Sequence, residues 1–415
     1  MKQTICYKLK PTMEQEKHLS NLGFYGTKLY NTDNWQRRTE WEKTGKIPNA
    51  YVQKKALKDN VWFKLLPSQT AQEVCFVLQQ NYKSWFKLRK TDNTANPPRF
   101  RKKQELSTLS FYGHNKQFQI KNNKIIFSVS RKYKQEQNIS KIEIEFDAWK
   151  FIDGKLKMCQ LIYKDNNWYA NVVYEIADKQ INLNENVRAI DLGIFNLASC
   201  IDTKGKSNIY TGRQALAVQH YFNSRKAKVQ SKLTKQFPKR HTSKCLNNLT
   251  KKQSRQINQI LHTISKKIVD DAVKDNISVL VIGDVKNIRR KTDRKTKQVI
   301  GETNHGKVNN QKLHSWSFSK ITQQIEYKAT LSGIRVVRVS EEYTSQTCSC
   351  CNAIRKANRK KRGLYVCKFC GRLINADVNG AVNILKKYLQ MFSIEHRSIG
   401  FVEKPIMYQV KNVIN

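Results

Sequence analysis

Apolar and polar residues repeat with two different periods along this chain of 415 residues. Residues 4–10 alternate strictly, which predicts a β-strand. Residues 12–45 and 68–90 carry apolar side chains at helical spacing, and Ser68 stands in the position of an N-cap. The period of two returns over residues 108–176, where Asn-rich turns separate short runs. The pattern therefore predicts a small β-barrel with helices inserted after its first strand.

The second half of the chain alternates buried strand runs with helices. Residues 187–201 are expected to form two strands joined by a turn, and residues 213–275 a long, basic helical pair. A further apolar strand run covers residues 277–285, residues 310–332 read as a helix, and a strand follows at residues 334–340. Alternation of this kind is typical of an α/β core, and we expect one that is RNase H-like.

Charge points to the class of partner. The chain has 77 Lys and Arg residues against 32 Asp and Glu, a formal net charge of +45. An excess of this size predicts a polyanionic partner and excludes an ordinary small-molecule enzyme. Because the basic residues are spread along the whole chain, a long nucleic-acid channel fits better than a single docking helix.

No part of the sequence suggests a membrane partner. The first ten residues, MKQTICYKLK, lack the apolar stretch of a signal peptide. No apolar run approaches the roughly 18 residues that a membrane span requires. The expectation is a protein of a reduced, cytoplasmic compartment.

Four of the ten cysteines have metal-binding spacing. Cys348 and Cys351 form one C-x-x-C pair, Cys367 and Cys370 form another, and 15 residues separate the pairs. This spacing predicts a zinc ribbon in which four thiolates close the coordination shell of a structural Zn²⁺ ion. The other six cysteines are expected to be reduced thiols.

Acidic residues at the ends of predicted elements are candidates for catalysis. Asp191 closes an apolar strand and Asp377 precedes a helix; taken singly, these are ordinary positions for a turn Asp and an N-cap. Hydrolysis of phosphodiesters with two Mg²⁺ ions needs three or four carboxylates. The third acid remains open among Glu341, Glu342 and Asp284, each of which ends or follows a predicted strand.

Eight motifs occur in order along the chain: YKLKPT, LPSQTAQEV, NPPRFR, AIDLGIFN, LVIGDVKNI, SEEYTSQTCSCC, CKFCG and NADVNGAVNIL. Together they resemble TnpB, also called OrfB, the RNA-guided endonuclease of bacterial insertion sequences that is related to type V CRISPR effectors. The resemblance spans roughly residues 1–388, and its most specific part is the cysteine segment with the tripeptide Asn375-Ala376-Asp377 that follows.

This resemblance implies an α/β plus β-barrel fold: a wedge β-barrel with an inserted helical recognition lobe, followed by a RuvC nuclease domain that contains the zinc ribbon. The implied domains are a wedge barrel at 1–10 and 108–180, a recognition lobe at 11–107, a RuvC-like domain at 186–342 and 371–390, a zinc ribbon at 343–370 that binds target nucleic acid, and an unassigned tail at 391–415.

The resemblance also assigns the acids. Asp191 matches the first RuvC acid and Asp377 the third, but the usual middle position is occupied by Gly283. Some TnpB-like proteins carry a relocated Glu just before the zinc segment, which here would be Glu341, with Glu342 as the alternate. Strand alternation is expected to turn Asp284 away from the site.

The implied partners are a guide RNA made from the transposon end and a target double-stranded DNA, which one RuvC site cuts next to a short transposon-adjacent motif. Arg213, Arg225, Lys226 and Lys232 are expected to line a groove for the heteroduplex backbone. The resemblance further implies a monomer within a bacterial ribonucleoprotein, in the cytoplasm near the nucleoid.

Three functions remain as hypotheses. The first is an active, Mg²⁺-dependent RNA-guided DNA endonuclease. The second is a repressor that keeps the RNA-guided fold but cannot cut, which Gly283 favours and the presence of Asp191, Asp377 and a candidate Glu disfavours. The third is a recombinase with the same acids, which leaves the N-terminal barrel and helices unexplained.

Overall fold

The structure is a computed structural model of the whole chain. It describes residues 1–147, 152–180, 184–284, 290–292, 299–302, 318–361, 363–392 and 404–410. The chain divides into two compact units, Met1–Ala177 and Asp178–Asn415. Each unit is built from both helices and strands.

The first unit begins with a strand and then a set of helices. Thr12 caps the first helix, because its hydroxyl accepts from the backbone of Gln15 while the Gln15 side chain accepts from the Thr12 N–H. That helix ends at Gly45, whose φ of 66° suits glycine. The elements are β1 (Lys2–Lys10), α1 (Met13–Thr44), α2 (Ala50–Ala56), α3 (Val61–Lys64) and α4 (Ser68–Arg89).

Short strands complete the first unit and join β1 in one seven-stranded sheet, in the order β2-β6-β7-β1-β5-β4-β3. The strict alternation of β1 places Ile5, Tyr7 and Leu9 in the core, and β1 pairs antiparallel with both β7 and β5. These elements are β2 (Leu109–Tyr112), β3 (Phe118–Lys121), β4 (Lys124–Ser128), α5 (Arg131–Gln137), β5 (Lys141–Phe146), β6 (Lys155–Lys164) and β7 (Asn167–Glu175).

The second unit is built around a six-stranded mixed sheet in the order β14-β11-β8-β9-β10-β18. Strands β8, β9 and β10 form an antiparallel meander, whereas β11 and β14 run parallel to β8. The strands are β8 (Val187–Leu192), β9 (Asn196–Asp202), β10 (Ser207–Thr211), β11 (Val279–Asp284), β12 (Arg290–Thr292), β13 (Val299–Glu302), β14 (Arg335–Ser340), β15 (Arg359–Lys361), β16 (Leu364–Val366), β17 (Leu373–Ile374) and β18 (Ile406–Tyr408).

Helices cover both faces of this sheet, which explains why nearly every residue of its central strands β8, β9 and β11 is buried. Ile190 and Ile282 pack into a core with α6, α7 and α8, whereas Ala189 and Val281 pack into a second core with α9. The helices are α6 (Arg213–Gln236), α7 (Lys244–Lys274), α8 (Phe318–Leu331) and α9 (Ala376–Met391).

Most predicted elements are present, with two corrections. Ser68 is not an N-cap: α4 begins at Ser68 itself, and Pro67 in the cap position makes no side-chain hydrogen bond. Asp377 is not an N-cap either: the cap is Asn375, whose side chain accepts from the backbone N–H groups of Asp377 and Val378. The predicted helical residues 310–317 lie outside the described residues.

The described part of the unassigned tail contains a strand. Residues 404–410 are described, and β18 within them pairs in parallel with the edge strand β10. Tyr408 packs its ring against Tyr210, with the centroids 5.9 Å apart. Residues 393–403 and 411–415 of the tail lie outside the described residues.

Among the helices that the structure describes, none combines the length and the apolar composition needed to cross a membrane.

Candidate functional site

The carboxyl ends of three parallel strands meet at one edge of the six-stranded sheet. Ile282 of β11 lies opposite Ile190 of β8, and Gly283 of β11 lies opposite Val339 of β14. The next residue of β8 is therefore Asp191. On β14 the next residue is Ser340, the last of the strand, and Glu341 follows it. This edge is where open α/β sheets hold their ligands.

Asp191 lies between this strand edge and helix α9. A Cβ atom added to Gly380 of α9 would be 2.5 Å from Oδ2 of Asp191, so only glycine lets the helix pass this closely over the carboxylate. Burial raises the pKa of Asp191 well above its ordinary value, and the carboxylates of Glu341 and Asp377 raise it further. The structure thus brings Asp191, Glu341 and Asp377 into one cluster of acids.

Glu341 occupies the space that Gly283 leaves open. A Cβ atom on Gly283 would be 2.6 Å from Cγ and 2.8 Å from Cδ of Glu341. Burial raises the pKa of Glu341 to about 7, and the Asp284 carboxylate adds to this rise. Oε1 of Glu341 is buried and accepts no hydrogen bond. The missing side chain at position 283 and the carboxylate from position 341 are therefore complementary in shape.

The two alternate acids occupy different surroundings. Glu342 is exposed, and its backbone carbonyl accepts from Nζ of Lys387. Asp284 lies opposite Ser340 in the sheet, and its charge acts on Glu341 and Arg338. Neither acid is among the groups that shift the pKa of Asp191.

Asp377, in the first turn of α9, is held by two side chains. Nδ2 of Asn196 donates to Oδ2 of Asp377 at 2.7 Å, and Nη2 of Arg359 donates to Oδ1 at 3.0 Å. Arg359 comes from strand β15 between the two cysteine pairs, and its charge also opposes the rise in the pKa of Asp191. A guanidinium thus lies beside the acid cluster.

Sequence reasoning missed Asn196 and Arg359. Asn196 is the first residue of β9, directly after the turn that follows Asp191. Its closeness to that acid in sequence could have marked it as a site residue. Arg359 lies in the run NRKKR, where no local feature distinguishes it from the neighbouring basic residues. Arg359 is distinguished from its neighbours only by the packing of the cysteine segment against the start of α9, which brings it to Asp377.

The acid cluster fits hard divalent cations. Carboxylate oxygens are the ligands that Mg²⁺ prefers. Burial raises the pKa of both Asp191 and Glu341, and neighbouring carboxylates raise both further, against the opposing charges of Arg359 and Lys387 respectively. A cation bound among them would remove this repulsion, and the unsatisfied Oε1 of Glu341 is a free ligand position.

The four predicted cysteines converge on one point. Their Sγ atoms all lie within 4.8 Å of one another, with 3.7 Å between Cys348 and Cys370 and 3.5 Å between Cys351 and Cys367. Tetrahedral Zn²⁺ with Zn–S bonds of about 2.3 Å requires sulfur separations of about 3.8 Å. The cluster could therefore hold a structural metal such as zinc.

Local backbone geometry favours thiolate at one of these cysteines. Backbone N–H groups, that of Cys370 above all and then that of Phe369, lower the pKa of Cys367 to about 6. Cys350 is exposed and does not belong to the cluster of four. The predicted division between four ligands and a neighbouring bystander therefore agrees with the geometry.

Helix α9 is bonded to the turn that carries the first cysteine pair. Nδ2 of Asn383 donates to the carbonyls of Thr344 and Thr347, at 2.8 and 2.7 Å. Asn379 donates to the Thr347 carbonyl at 2.8 Å and accepts from the N–H of Ser349. The helix that carries Asp377 and the segment that follows Glu341 are thereby held together.

The predicted nucleic-acid residues all lie on α6 but do not form one row. Arg225 and Lys232 are seven residues apart, so they share one exposed helix face. Lys226 instead turns toward α7, where Nζ donates to Oε1 of Gln253 at 2.7 Å. Arg213 is exposed at the start of the helix.

An absence of acids makes this region strongly basic. From residue 203 to residue 269 the chain has no Asp or Glu but 16 Lys and Arg. The segment includes α6 and most of α7, two long antiparallel helices. Its charge suits contact with a polyanion along the length of the pair.

Comparison with known proteins gives two family matches. Residues 171–289 match the OrfB (IS605) model, described as a probable transposase, and residues 318–384 match the model of the Cas12f1-like TNB domain. The first match covers the β8–β11 region and the second covers β14, the cysteine cluster and most of α9. The carboxyl ends of β8, β11 and β14 and both cysteine pairs therefore lie within matched regions.

Curated relatives extend the similarity over nearly the whole chain. TnpB-like protein ORF457 of Acidianus two-tailed virus is 25% identical, over 99% of this chain and 90% of its own. The putative RNA-guided DNA endonuclease InsQ of Escherichia coli is 24% identical, over 92% of this chain and 91% of its own.

The fold also has a solved counterpart. A cryo-EM structure of a Cas12f1–sgRNA–target DNA complex contains a chain that superposes with a TM-score of 0.64 at 14% identity, covering 92% of this chain and 98% of that one. The mixed α/β fold is therefore shared with a type V effector. Together with the two family matches and the TnpB-like relatives, this confirms the predicted resemblance of the chain to the TnpB (OrfB) family.

Proposed function

We propose that this protein is an RNA-guided DNA endonuclease that hydrolyses phosphodiester bonds of double-stranded DNA at the Asp191–Glu341–Asp377 cluster. The observation that carries the proposal is the fit between Gly283 and Glu341. A Cβ atom at position 283 would collide with the Glu341 side chain, so the acid missing from β11 is replaced from the end of β14. A complete set of three acids is what a hydrolytic site requires.

The family and fold support the same function. InsQ, similar over 92% of this chain, is named a putative RNA-guided DNA endonuclease. The six-stranded mixed sheet, with three antiparallel strands followed by two parallel ones, agrees with the RNase H-like (RuvC) domain implied by the resemblance. The seven-stranded sheet and helices of the first unit are the proposed wedge barrel and recognition lobe.

Each side chain has a proposed role. Asp191, Glu341 and Asp377 hold the catalytic cations through their carboxylate oxygens. Mg²⁺, when bound there, supplies activation of the attacking water and stabilisation of the leaving oxygen. Asn196 fixes the orientation of Asp377 by its hydrogen bond of 2.7 Å. Arg359, 3.0 Å from Asp377, is in reach of a phosphate at the cluster and can stabilise its developing charge.

The cysteine cluster is proposed to be a zinc site with a structural role. Four thiolates complete a tetrahedral shell, so no position is left open for a water or a substrate. Arg359 lies between the two cysteine pairs, and the amides of Asn379 and Asn383 connect the cluster to α9. Zinc would therefore fix the positions of Arg359 and of the segment next to Glu341.

The basic helices are proposed to bind the nucleic acids. The exposed Arg225 and Lys232 contact phosphates along the proposed guide–target heteroduplex, while Arg213 does so from the start of α6. The guide RNA from the transposon end and the matched target DNA are the proposed partners, in a ribonucleoprotein with one protein chain.

The test is cleavage by the protein co-expressed with RNA from the flanking transposon end. A matched duplex with the adjacent motif is incubated with Mg²⁺, and products are resolved on a denaturing gel. Cleavage of both strands that is lost in Asp191→Asn is expected. The conservative change Glu342→Gln is the matched control and should leave cleavage intact.

The same cleavage assay distinguishes Glu341 from the two alternate acids, Glu342 and Asp284. Glu341→Gln is expected to abolish cutting while target binding persists. Cleavage that survives Glu341→Gln but is lost in Glu342→Gln or Asp284→Asn would show that the third acid was chosen wrongly. A ribonucleoprotein that binds its matched duplex but never cuts it would instead establish the repressor function that Gly283 suggests.

A further inference from the structure

The first unit contains a cavity that the proposed nuclease chemistry does not use. Its volume is about 400 Å³, within the range of small-ligand sites, and it opens to solvent. Buried rings of Tyr30 and Trp85 form part of its wall, and Asn81 and Asn96 contribute amides. Arg101 completes the wall with a cation.

Arg101 is a partly buried cation that makes no ion pair of its own: the Glu105 carboxylate acts on its charge but pairs with Arg99. Its guanidinium lies over the Tyr30 ring, 3.9 Å from the centroid, and Nη1 donates to Oγ of Ser107. No carboxylate in the described part of the chain lies within ion-pairing distance of Arg101. Burial lowers the pKa of Arg101, as expected for a cation removed from water without full compensation.

The neighbouring arginine differs, since its charge is already compensated. Nη2 of Arg99 donates to both carboxylate oxygens of Glu105, at 3.1 and 2.9 Å. The cavity wall therefore contains one guanidinium in an ion pair, that of Arg99, and one outside ion-pairing distance of the same carboxylate, that of Arg101. A phosphate could approach Arg101 without displacing an ion pair.

The segment that carries these arginines is held in place although it is neither helix nor strand. The backbone of Arg101 exchanges two hydrogen bonds with the side chain of Asn31, at 2.8 and 3.0 Å. The Pro98 carbonyl accepts from Asn34 at 3.0 Å and from Arg38 at 2.6 Å. Because helix α1 fixes the segment at four points, the cavity is formed before any ligand arrives.

Charge around the cavity selects the chemistry of its ligand. Residues 83–103 include eight Lys and Arg against a single acid, Asp92. Aromatic side chains, amides and a guanidinium outside an ion pair are groups that hold a base and its phosphate. A free carboxylate ligand would use only the guanidinium, whereas a nucleotide uses every part of the wall.

We propose that this cavity binds one nucleotide of a nucleic-acid strand, with its phosphodiester on the guanidinium of Arg101 and its base or sugar against the amides of Asn81 and Asn96. The proposal rests on the proposed nucleic-acid function and adds a specific anchoring site to it. The cavity holds a strand in a fixed register, since it accepts a single unit rather than tracking the whole backbone.

The test compares binding by the full-length protein and its variants across a range of salt concentrations. The probes are RNA transcribed from the flanking transposon end and, for the assembled ribonucleoprotein, a matched DNA duplex. Arg101→Gln is expected to weaken binding of one of these probes by about tenfold. It should also reduce the slope of log K against log salt by about 1.

Lys103→Gln is the matched control, because Lys103 is exposed two residues away and does not line the cavity. It removes the same charge and is expected to change affinity by less than about twofold. Glu105→Gln has the opposite effect: with the acid removed from the cavity wall, affinity should rise about threefold. A gain of affinity cannot result from misfolding, so this variant tests the site even if Arg101→Gln is unstable.

The two probes identify the strand. A defect of Arg101→Gln in RNA binding assigns the cavity to RNA, and a defect confined to duplex binding by the ribonucleoprotein assigns it to DNA. Unchanged affinities in Arg101→Gln, or a failure of Glu105→Gln to raise affinity, would overturn the proposal. Wild-type protein that binds these probes but never cuts the duplex would contradict the proposed nuclease function without contradicting this binding site.

Discussion

At the scale of single residues, the relation between Gly283 and Glu341 allows a direct test. Gly283→Ala introduces a Cβ atom 2.6 Å from Cγ of Glu341, so the carboxylate must move from the cluster. Displacements of about 1 Å at catalytic groups cost roughly 100-fold in rate. We expect a loss of that size in DNA cleavage, measured by single-turnover kinetics, with target affinity unchanged.

Restoring the acid on the other strand is the complementary experiment. Glu341→Ala removes the clash, and adding Gly283→Glu returns a carboxylate from β11. The double variant is expected to cut faster than Glu341→Ala alone. Equal rates for the single and double variants would mean that the two positions do not serve one metal site.

The raised pKa of Glu341 predicts how stability depends on pH. Its pKa rises from an ordinary 4.5 to about 7 in the folded protein, which therefore binds more protons than the unfolded chain between these values. Stability of the metal-free protein should thus fall as pH rises through this window, by on the order of 3 kcal/mol. Thermal unfolding in EDTA from about pH 5 to about pH 8 measures this fall.

Two additions test the origin of this effect. Mg²⁺ should restore stability at the alkaline end, because a bound cation compensates the ionised acids. Glu341→Gln should flatten the pH dependence, while the exposed neighbour Glu342→Gln should leave it as in the wild type. An identical pH dependence in all three proteins would contradict the buried acid cluster.

The residues of the candidate site differ in how far the sequence alone could predict them. Asp191 and Asp377 stand at local signals, a strand end and a helix start. Glu341 was one of three candidates at strand ends, and only the family resemblance favoured it, since its position depends on the register of β11 against β14 and on a turn after the strand. Arg359 and Asn196 reach Asp377 through tertiary packing, which periodicity does not predict, and only the closeness of Asn196 to Asp191 in sequence pointed to one of them. The catalytic roles of all these residues stay predictions.

At the scale of elements, hydrogen bonds join the cysteine cluster to α9, and we predict that this arrangement depends on the proposed zinc ion. Cys367→Ser removes one of four ligands, and we expect bound zinc to fall from about one per chain to none. Loss of the metal releases the segment that carries Arg359, so cleavage should fall with it. Metal analysis of the purified protein together with the cleavage assay checks both effects.

Cys350→Ser provides the matched control, because Cys350 neighbours a ligand but is exposed and outside the cluster. It should retain zinc and cleavage. Full zinc content in Cys367→Ser, or equal loss in Cys350→Ser, would contradict the assignment of the four ligands.

Elements with strong periodicity and caps were predicted closely, and those that depend on distant pairing were not. The helix expected at residues 12–45 is Met13–Thr44, because Thr12 and Gly45 mark its ends locally. Strand β18 could not be predicted, since three residues of weak pattern become a strand only through pairing with β10. The prediction of Ser68 as an N-cap also failed, because the local sequence favours a cap there that the chain does not use.

At the scale of the whole molecule, the charge of +45 predicts binding that depends steeply on salt. Each phosphate contact contributes roughly 0.7 to 0.9 to the slope of log K against log salt. Replacing the exposed Arg213, Arg225 and Lys232 by Gln should therefore reduce the slope for guide RNA or target duplex by roughly 2 to 3. Fluorescence anisotropy between about 0.05 and 0.2 M salt measures it.

A triple variant with the same loss of charge separates specific contacts from net charge. Lys64, Lys124 and Lys157 each lie within ion-pairing distance of an acid, Asp59, Glu145 and Glu175 respectively. Their replacement by Gln should alter the slope by less than 1, because their charges are already paired. If both variants reduced the slope equally, the general field of the molecule rather than helix α6 would bind the nucleic acid. The helix contacts account for binding only if the α6 variant alone shows the larger change.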